Sequence, residues 1–369
     1  MLPQSAGEDS PACLDGSAYG LYFRRSRANS TKWTIFIEGG GWCYNEELCL
    51  QRSKHGLGSS TSWGSTAPCS CMNANQDGTM DSDCNCVYLP YCDGASFSGF
   101  RPKPWPVPGR SDEAALHFRG IRNLDASIEF ALAQGMTSST EFVLTGESAG
   151  GLATFLHADR VAGRVAERAP DCKLVRAAPQ IGFFLDHDDF QHDALNYTAR
   201  MKYVYTMQNL TFVPDGGLDP ACGVAFPQSP HKCFMSPHMH RFIKTPFFVL
   251  NSKYDDWQID NELRTRDRVA VVQYGEDFMA AFRSLLDDPR GNGAAIISCV
   301  CHSDSAFGQL KVDGRLALQW YADWYIGKTQ GAASFHIDPQ GPNDDGKLGP
   351  PLCRELNRDS EGDPALFVV

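Results

Sequence analysis

The segment FVLTGESAGGLATFLHADRV, residues 142–161, joins a short apolar run to a helical repeat through a corner of small residues. The run before the corner, within EFVLTG (141–146), is β-branched and aromatic, which is typical of a buried strand. After the corner, apolar residues recur at helical spacing. A strand that passes directly into a helix in this way predicts an α/β fold.

The corner itself is GESAG (146–150), which fits the pattern G-x-S-x-G. On a strained strand-to-helix turn, a serine projects its hydroxyl above the sheet, and the glycines leave room for the turn and for a substrate. The next amide, that of Ala149, lies at a helix N-terminus, where unpaired N–H groups stabilise an oxyanion. We therefore predict that Ser148 is a nucleophile; an ordinary tight turn is the alternative.

A serine nucleophile needs a base, and the base needs a carboxylate that orients it. In chain order we expect the serine, then the acid, then the histidine. The apolar strand TPFFVLNS (245–252) is followed by Asp255 and Asp256, and the apolar strand GAAIISCV (293–300) by His302. Both positions lie just past the carboxyl end of a predicted strand, where open α/β sheets form their sites. These residues alone leave Asp255 and Asp256 equivalent, and a solvated loop residue is the alternative for each.

A second set of oxyanion donors is expected after another strand. WTIFIEG (33–39) is apolar and leads directly into the glycines of EGGGWC (38–43). Gly40 and Gly41 can bring bare backbone amides against a developing negative charge, where a side chain would intrude. Loss of one such donor typically costs about 3–4 kcal/mol of transition-state stabilisation. The alternative is a glycine-rich turn without a catalytic role.

Two further segments predict helices that cover the sheet. RGIRNLDASIEFALAQGM (119–136) places its apolar residues on one helical face and has Gly135 as a stop signal. RLALQWYADWYIG (315–327) predicts a closing amphipathic helix. Because strands alternate with helices, we expect a mostly parallel central sheet flanked by helices on both faces.

We expect one α/β domain over residues 13–330. Within it, residues 43–92 are rich in Cys, Ser, Asn, Gly and Asp, which predicts a cross-linked loop region. Residues 183–244 are irregular and aromatic-rich, which suggests a cap-like insertion over one end of the sheet. Pro, Gly and Asp dominate the tail, so residues 331–369 are expected to be poorly ordered.

Charge limits the partners of this 369-residue chain. Its formal net charge is −11, which argues against nucleic acid, because phosphates require a basic face. It also disfavours a strongly polyanionic partner unless basic residues gather locally, as Arg24, Arg25 and Arg27 could. No apolar stretch reaches the roughly 18 residues that span a bilayer.

Fourteen cysteines predict a disulfide framework made in an oxidising compartment. The close pairs are C-x-C, unlike the usual zinc spacing, and His238-Met-His240 lacks further ligands, so we expect no metal site. Sequons at Asn29, Asn196 and Asn209 agree with secretion. The first residues lack the apolar core of a signal peptide, so we expect a leader that is missing from this sequence.

Several longer motifs resemble the pectin acetylesterase family, which also contains the animal Notum carboxylesterases. They occur in the family's order over roughly residues 13–327: CLDGSAYGLYFRR, IFIEGGGWCYNEELC, YCDGASFSG, LHFRGIRNLDASIEFALAQGM, LTGESAGG, NSKYDDWQID and SCVCH. The resemblance implies an α/β-hydrolase fold and a serine carboxylesterase that needs no cofactor. It implies Ser148 as nucleophile, Asp255 as acid, His302 as base, and the amides of Gly40, Gly41 and Ala149 as the oxyanion hole.

Two details of the resemblance concern the acid and the histidine. Asp255 is preferred over Asp256 because the family places its acid directly after an aromatic residue, here Tyr254. Plant-like members tend to carry a cysteine directly after the histidine, where this chain has Ser303, and here the extra cysteine precedes it at Cys301. The bridge that holds the histidine loop is therefore expected to be rewired.

YCDGASF (91–97) resembles the plant-like branch, which favours acetylated glycans over the lipidated proteins handled by Notum. We therefore expect a secreted, monomeric enzyme that deacetylates a polysaccharide. Trp42 and Asp93 are candidates for substrate contact, although Asp93 fits a turn-forming role equally well. A lipid-ester or protein deacylase is the main alternative, because the insertion at 183–244 could form an apolar pocket. A catalytically inactive glycan-binding protein is the second alternative.

Overall fold

The computed structural model describes residues 9–110, 115–192, 194–212, 216–286, 290–339 and 341. The strands of this part of the chain are β1 (Tyr22–Arg24), β2 (Lys32–Ile37), β3 (Asn85–Leu89), β4 (Glu141–Glu147), β5 (Leu174–Gln180), β6 (Phe248–Ser252), β7 (Gly293–Ile297), β8 (Lys311–Val312), β9 (Arg315–Leu316) and β10 (Phe335–Ile337). Eight of them form one sheet in the order β1-β3-β2-β4-β5-β6-β7-β10. Within this sheet β1 is antiparallel to β3, and the other neighbours are parallel.

The carboxyl ends of the parallel strands meet at one edge of the sheet. Ile37 at the end of β2 pairs with Gly146 near the end of β4, and Ser252 at the end of β6 pairs with Ile297 at the end of β7. The glycines after β2, the serine after β4, the acid after β6 and the histidine after β7 therefore emerge at the same edge.

Helices cover both faces of the sheet. They are α1 (Glu46–Arg52), α2 (Gly120–Ala133), α3 (Ala149–Arg168), α4 (Tyr197–Met207), α5 (Pro220–Ala225), α6 (Ser236–Met239), α7 (Asp256–Gln258), α8 (Arg268–Leu286) and α9 (Ala317–Tyr325). Because successive strand residues point to opposite faces, Phe142 and Leu144 join one core and Val143 joins the other. The first core includes side chains of α2, α3 and α8, and the second includes side chains of α9.

Two predicted regions differ from the structure. The segment 43–92 is less irregular than predicted, because it contains α1 and also β3, which lies inside the sheet between β1 and β2. The predicted tail 331–369 begins too early, because β10 extends the sheet beside β7. The part of that tail beyond residue 341 lies outside the described residues.

Five disulfides join pairs of cysteines that both lie in the described part of the chain, which confirms the predicted framework. They are Cys13–Cys92, Cys43–Cys49, Cys69–Cys86, Cys71–Cys84 and Cys222–Cys233. Two of the C-x-C pairs are therefore bonded to each other. Across the described ranges, no helix has the length and apolar character needed to cross a membrane.

Candidate active site

Ser148 alone forms the corner between β4 and α3. Its φ of 55° and ψ of −123° are rare for a residue with a side chain, and such strain costs about 1–3 kcal/mol. The surrounding backbone holds this conformation, since the Ser148 N–H donates to the Gln180 carbonyl at 3.0 Å. Ala149 is the first residue of α3, so its amide has no acceptor within the helix and can serve an oxyanion.

The glycines around Ser148 permit a close approach of main chains. A Cβ on Gly150 would lie 2.2 Å from the carbonyl oxygen that ends β2. A Cβ on Gly39 would lie 2.7 Å from the carbonyl oxygen that ends β4 and equally close to the Ser148 Cβ. The glycine loop, residues 39–41, is therefore packed directly against the serine corner, and the predicted donors Gly40 and Gly41 follow that contact.

Gly150→Ala is expected to destabilise the protein, and Gly163→Ala on the same helix is not. The new methyl at 150 would overlap main-chain atoms of β2, so we expect the free energy of unfolding to fall by about 1–3 kcal/mol or more. No described atom beyond the helix's own neighbouring backbone lies within 4 Å of a Cβ at Gly163, where alanine is the better helix former by about 1 kcal/mol. Urea unfolding of both variants measures the two changes in the free energy of unfolding, which are expected to have opposite signs. Equal losses of stability in the two variants would contradict this packing argument.

His302 and Asp255 form a hydrogen-bonded chain with Ser148. The His302 Nε2 lies 2.8 Å from the Ser148 Oγ, and its Nδ1 lies 2.7 Å from the Asp255 Oδ2. Because a carboxylate only accepts, Nδ1 carries the proton and Nε2 accepts from the serine hydroxyl. The buried Asp255 also accepts the Gln258 amide at 2.9 Å, which fixes the carboxylate. The His302 side chain is 18% exposed, so the site is open to solvent.

The two neighbouring aspartates have different partners. Asp255 is the N-cap of α7 and faces His302. Asp256 is the first residue of that helix, and its carboxylate accepts from the Arg266 guanidinium at 2.8 Å. The structure thus brings Asp255, and not Asp256, to the histidine.

Opposing effects set the pKa of His302. Burial is the largest influence and lowers it, but the charge and hydrogen bond of Asp255, together with smaller acidic contributions, raise the pKa of His302 overall. Glu147 and Asp256 contribute in the same upward direction. A raised pKa favours the imidazolium that forms when the histidine accepts the serine proton.

Aromatic side chains form a wall beside His302. The ring centroids of Phe184 and Trp257 lie 6.2 and 6.3 Å from the centroid of the His302 imidazole. Trp42 contacts both, at 4.9 Å from Phe184 and 5.5 Å from Trp257, and Tyr197 lies 5.8 Å from Trp42. Trp42, a predicted candidate for substrate contact, is therefore part of this wall.

The Asp93 side chain is buried and bonds its own turn. It is fully buried, and its Oδ2 accepts the amides of Ala95 at 3.2 Å and Phe97 at 2.9 Å. Burial raises the pKa of Asp93 to about 7, although these amides oppose the rise. These contacts fit the turn-forming role that the sequence also allowed for Asp93, and the buried carboxylate gives no support to substrate contact.

The histidine loop is not bridged through Cys301. Cys301 is a buried free thiol whose pKa burial raises, whereas Cys299 is disulfide-bonded. The Ser252 hydroxyl donates to the Cys299 carbonyl and joins the loop to the end of β6. The bonded cysteine of this loop is therefore Cys299 and not Cys301, and a bridge rewired relative to the family stays a prediction.

His238 and His240 have separate partners. The His238 Nε2 lies 2.6 Å from the Asp186 Oδ2, while His240 bonds the Ser236 carbonyl and the Ser284 hydroxyl. In the portion of the chain that the structure describes, no group of three His, Cys, Asp or Glu side chains could hold a metal ion.

Two acidic residues near Ser148 were not predicted from the sequence. Burial raises the pKa of Glu147, with Asp304 adding to the rise and His302 opposing it. Burial also raises the pKa of Asp304. Their positions, directly before Ser148 and two residues after His302, were the available signal.

Comparison with known proteins shows which proteins the chain resembles. The family profile described as Pectinacetylesterase matches residues 2–344. The chain is 29% identical to pectin acetylesterase 4 of Arabidopsis thaliana, over 89% of this chain and 83% of that protein. It is 33% identical to pectin acetylesterase 5 of the same plant, over 71% of this chain and 58% of that protein.

Notum proteins are also similar. The palmitoleoyl-protein carboxylesterase NOTUM of Homo sapiens is 27% identical over 68% of this chain, which spans half, 50%, of that protein. A structure of the Wnt deacylase Notum from Drosophila superimposes with a TM-score of 0.76 at 23% identity, covering 92% of this chain and 96% of that one. This likeness confirms the predicted α/β-hydrolase fold.

Proposed function

The chain belongs to the pectinacetylesterase family, and from this premise we propose that it is a serine carboxylesterase that removes acetyl groups from an O-acetylated extracellular polysaccharide. The observation that carries the proposal is the chain of hydrogen bonds from Ser148 through His302 to Asp255. Its geometry is that of a hydroxyl ready to lose its proton to an oriented imidazole.

The proposed reaction has two acyl transfers. His302 accepts the Ser148 proton while the serine oxygen attacks the acetyl carbonyl carbon, and the amides of Gly40, Gly41 and Ala149 stabilise the oxyanion. His302 then protonates the departing sugar oxygen and leaves an acetyl-enzyme. A water molecule gives a proton to His302 and attacks the acetyl-enzyme, and His302 returns that proton to the Ser148 oxygen as acetic acid leaves and ionises to acetate. Asp255 keeps the imidazole in one tautomer and stabilises its charged form.

The close packing of the aromatic wall beside His302 favours a substrate with a short acyl group. Trp42, Phe184 and Tyr197 are buried, and the ring centroids are only 4.9–6.4 Å apart. Rings at this spacing contact one another and leave no room between them for a long chain. A Notum-like deacylase is the second candidate, because the same aromatic surface is apolar and Notum relatives match the chain.

A series of chromogenic esters separates these two functions. We expect kcat/KM to fall at least about tenfold from acetate to octanoate, because forcing methylenes into a packed wall costs about 1–3 kcal/mol. Trp257→Ala, which removes a half-buried ring from the wall, is expected to narrow that difference. Acetate release from acetylated pectin, with deacetylated pectin as control, tests the polymer. A wild-type preference for octanoate would instead favour the lipid-ester function.

We also propose that the protein is secreted and monomeric, with residues 183–244 as a cap over the site. The five disulfides support an oxidising compartment. The sequon residues Asn29 and Asn209 are exposed, which suits glycosylation. The cap assignment rests on Phe184 and Tyr197, which this segment contributes to the aromatic wall.

A further inference from the structure

The glycine loop needs an external restraint if its amides are to serve an oxyanion. Gly40 and Gly41 have φ values of 154° and 64°. Without Cβ atoms their peptide groups rotate more easily than those of other residues. The feature that lets bare amides approach the substrate thus also lets them turn away, and oxyanion stabilisation requires donors that are already oriented.

One peptide group of the loop is held from outside by an arginine. The Gly40 carbonyl and the Gly41 amide belong to the same planar trans peptide, so they point in opposite directions. The Arg52 Nη1 donates to that carbonyl at 2.6 Å. A guanidinium that holds the carbonyl on one side therefore fixes the amide on the other.

Arg52 is itself well anchored. It is the last residue of α1, and the Cys43–Cys49 disulfide fastens this helix to the chain just after the glycine loop. Asn45 caps the helix by accepting the Leu48 amide at 2.8 Å. The anchor is thus built from short-range contacts and does not depend on the arginine side chain.

The surroundings of Arg52 leave it available for this bond. Burial lowers the pKa of the guanidinium, while Tyr91 and Asp93 raise it. Among the residues that the structure describes, Arg52 forms no ion pair within 4.0 Å, so the carbonyl is its principal partner. Removing a guanidinium from water is energetically unfavourable, and one carbonyl bond offsets only part of that cost. A partly buried arginine with this single principal partner is therefore expected to serve a function.

We propose that Arg52 is a positioning residue that orients the Gly41 amide toward the acyl oxygen at Ser148. The proposal rests on the esterase function proposed above. Tyr91 supplies a second restraint, because its hydroxyl donates to the Gly41 carbonyl at 2.7 Å. That bond acts on the next peptide group, whose amide belongs to Trp42, so it does not substitute for Arg52.

Arg52→Gln tests the proposal with two readouts. We expect kcat for a chromogenic acetate to fall about 10–100-fold, with KM changed less than about threefold, because the amide acts mainly on the transition state. An alkyl boronic acid, which forms a tetrahedral adduct with an active serine, is expected to lose affinity by the same factor. Arg101→Gln is the matched control, since Arg101 also donates to a backbone carbonyl at 2.6 Å, that of Met207.

The outcomes separate this proposal from the esterase proposal. If the wild type hydrolyses no ester, both fall together. If the wild type is active and Arg52→Gln keeps both its kcat and its boronate affinity within twofold, the positioning role alone is overturned. Should Arg52→Gln not fold, Arg52→Lys keeps the charge but not the planar fork, and it is expected to show equal, smaller losses in both readouts. Wild-type values for Arg52→Lys in that case would also overturn the role.

Discussion

Ser148→Ala is expected to lower kcat for a chromogenic acetate by about 10⁵–10⁶-fold while leaving the fold intact. The substitution removes the only atom of this side chain that can attack a carbonyl, and with it the acceptor of the acyl group. Residual turnover would come from water attack in a site that still polarises the ester. The measurement is a steady-state assay with circular dichroism of both proteins as the check on folding.

Ser303→Ala is the matched control for this experiment. Ser303 adjoins His302, but its hydroxyl bonds Ser305 at 2.8 Å and lies outside the hydrogen-bonded chain. We expect its kcat to stay within about twofold of the wild type. In the wild type, rapid quenching with acetate ester should reveal an acetylated peptide that contains Ser148. If Ser148→Ala kept a tenth of the wild-type rate, the nucleophile would have to be another group.

The sequence predicted those parts of the site that depend on local geometry. GESAG predicted the corner because backbone crowding at Gly150 excludes any side chain there, and β2 and β4 lie close to their predicted positions. The choice between Asp255 and Asp256 required the family resemblance. Both follow the same strand, and only the start of α7 decides which one turns toward the histidine.

Other parts were missed for reasons that differ. α8 has its buried residues at helical spacing, including Tyr274, Phe278 and Phe282, so its signal was present and unused. β5 (LVRAAPQ) contains an arginine and a proline, which conceal a central strand. Arg52 has no local signal, because its contact with Gly40 exists only once α1 is fastened beside the loop.

Asp255→Asn is expected to lower kcat about 10⁴-fold, and Asp256→Asn to leave it within about threefold. The side chain at 255 faces two donors, the Gln258 amide and the His302 Nδ1–H. Aspartate offers an acceptor oxygen to each, but asparagine has only one acceptor oxygen and, in place of the other, a donor NH₂ group. If the oxygen stays on the amide, the NH₂ group forces the histidine proton to Nε2, where the base is needed. Asp256 instead pairs with Arg266, and its loss removes a surface interaction worth at most about 1 kcal/mol. Similar losses in both variants would contradict the assigned geometry.

The pH dependence of the residual activity provides an independent check on Asp255. His302 must be neutral to accept a proton, so activity falls as the pH drops through its pKa. In the wild type, Asp255 is the largest of the influences that raise that pKa against the effect of burial. In Asp255→Asn, burial still lowers the pKa of His302, but the carboxylate that raised it most is gone. The acidic limb of kcat/KM is therefore expected to move to lower pH. Asp256→Asn should shift that limb only slightly. If the acidic limb stayed in place in Asp255→Asn, the pH dependence of the rate would be set by the ionisation of a group other than His302.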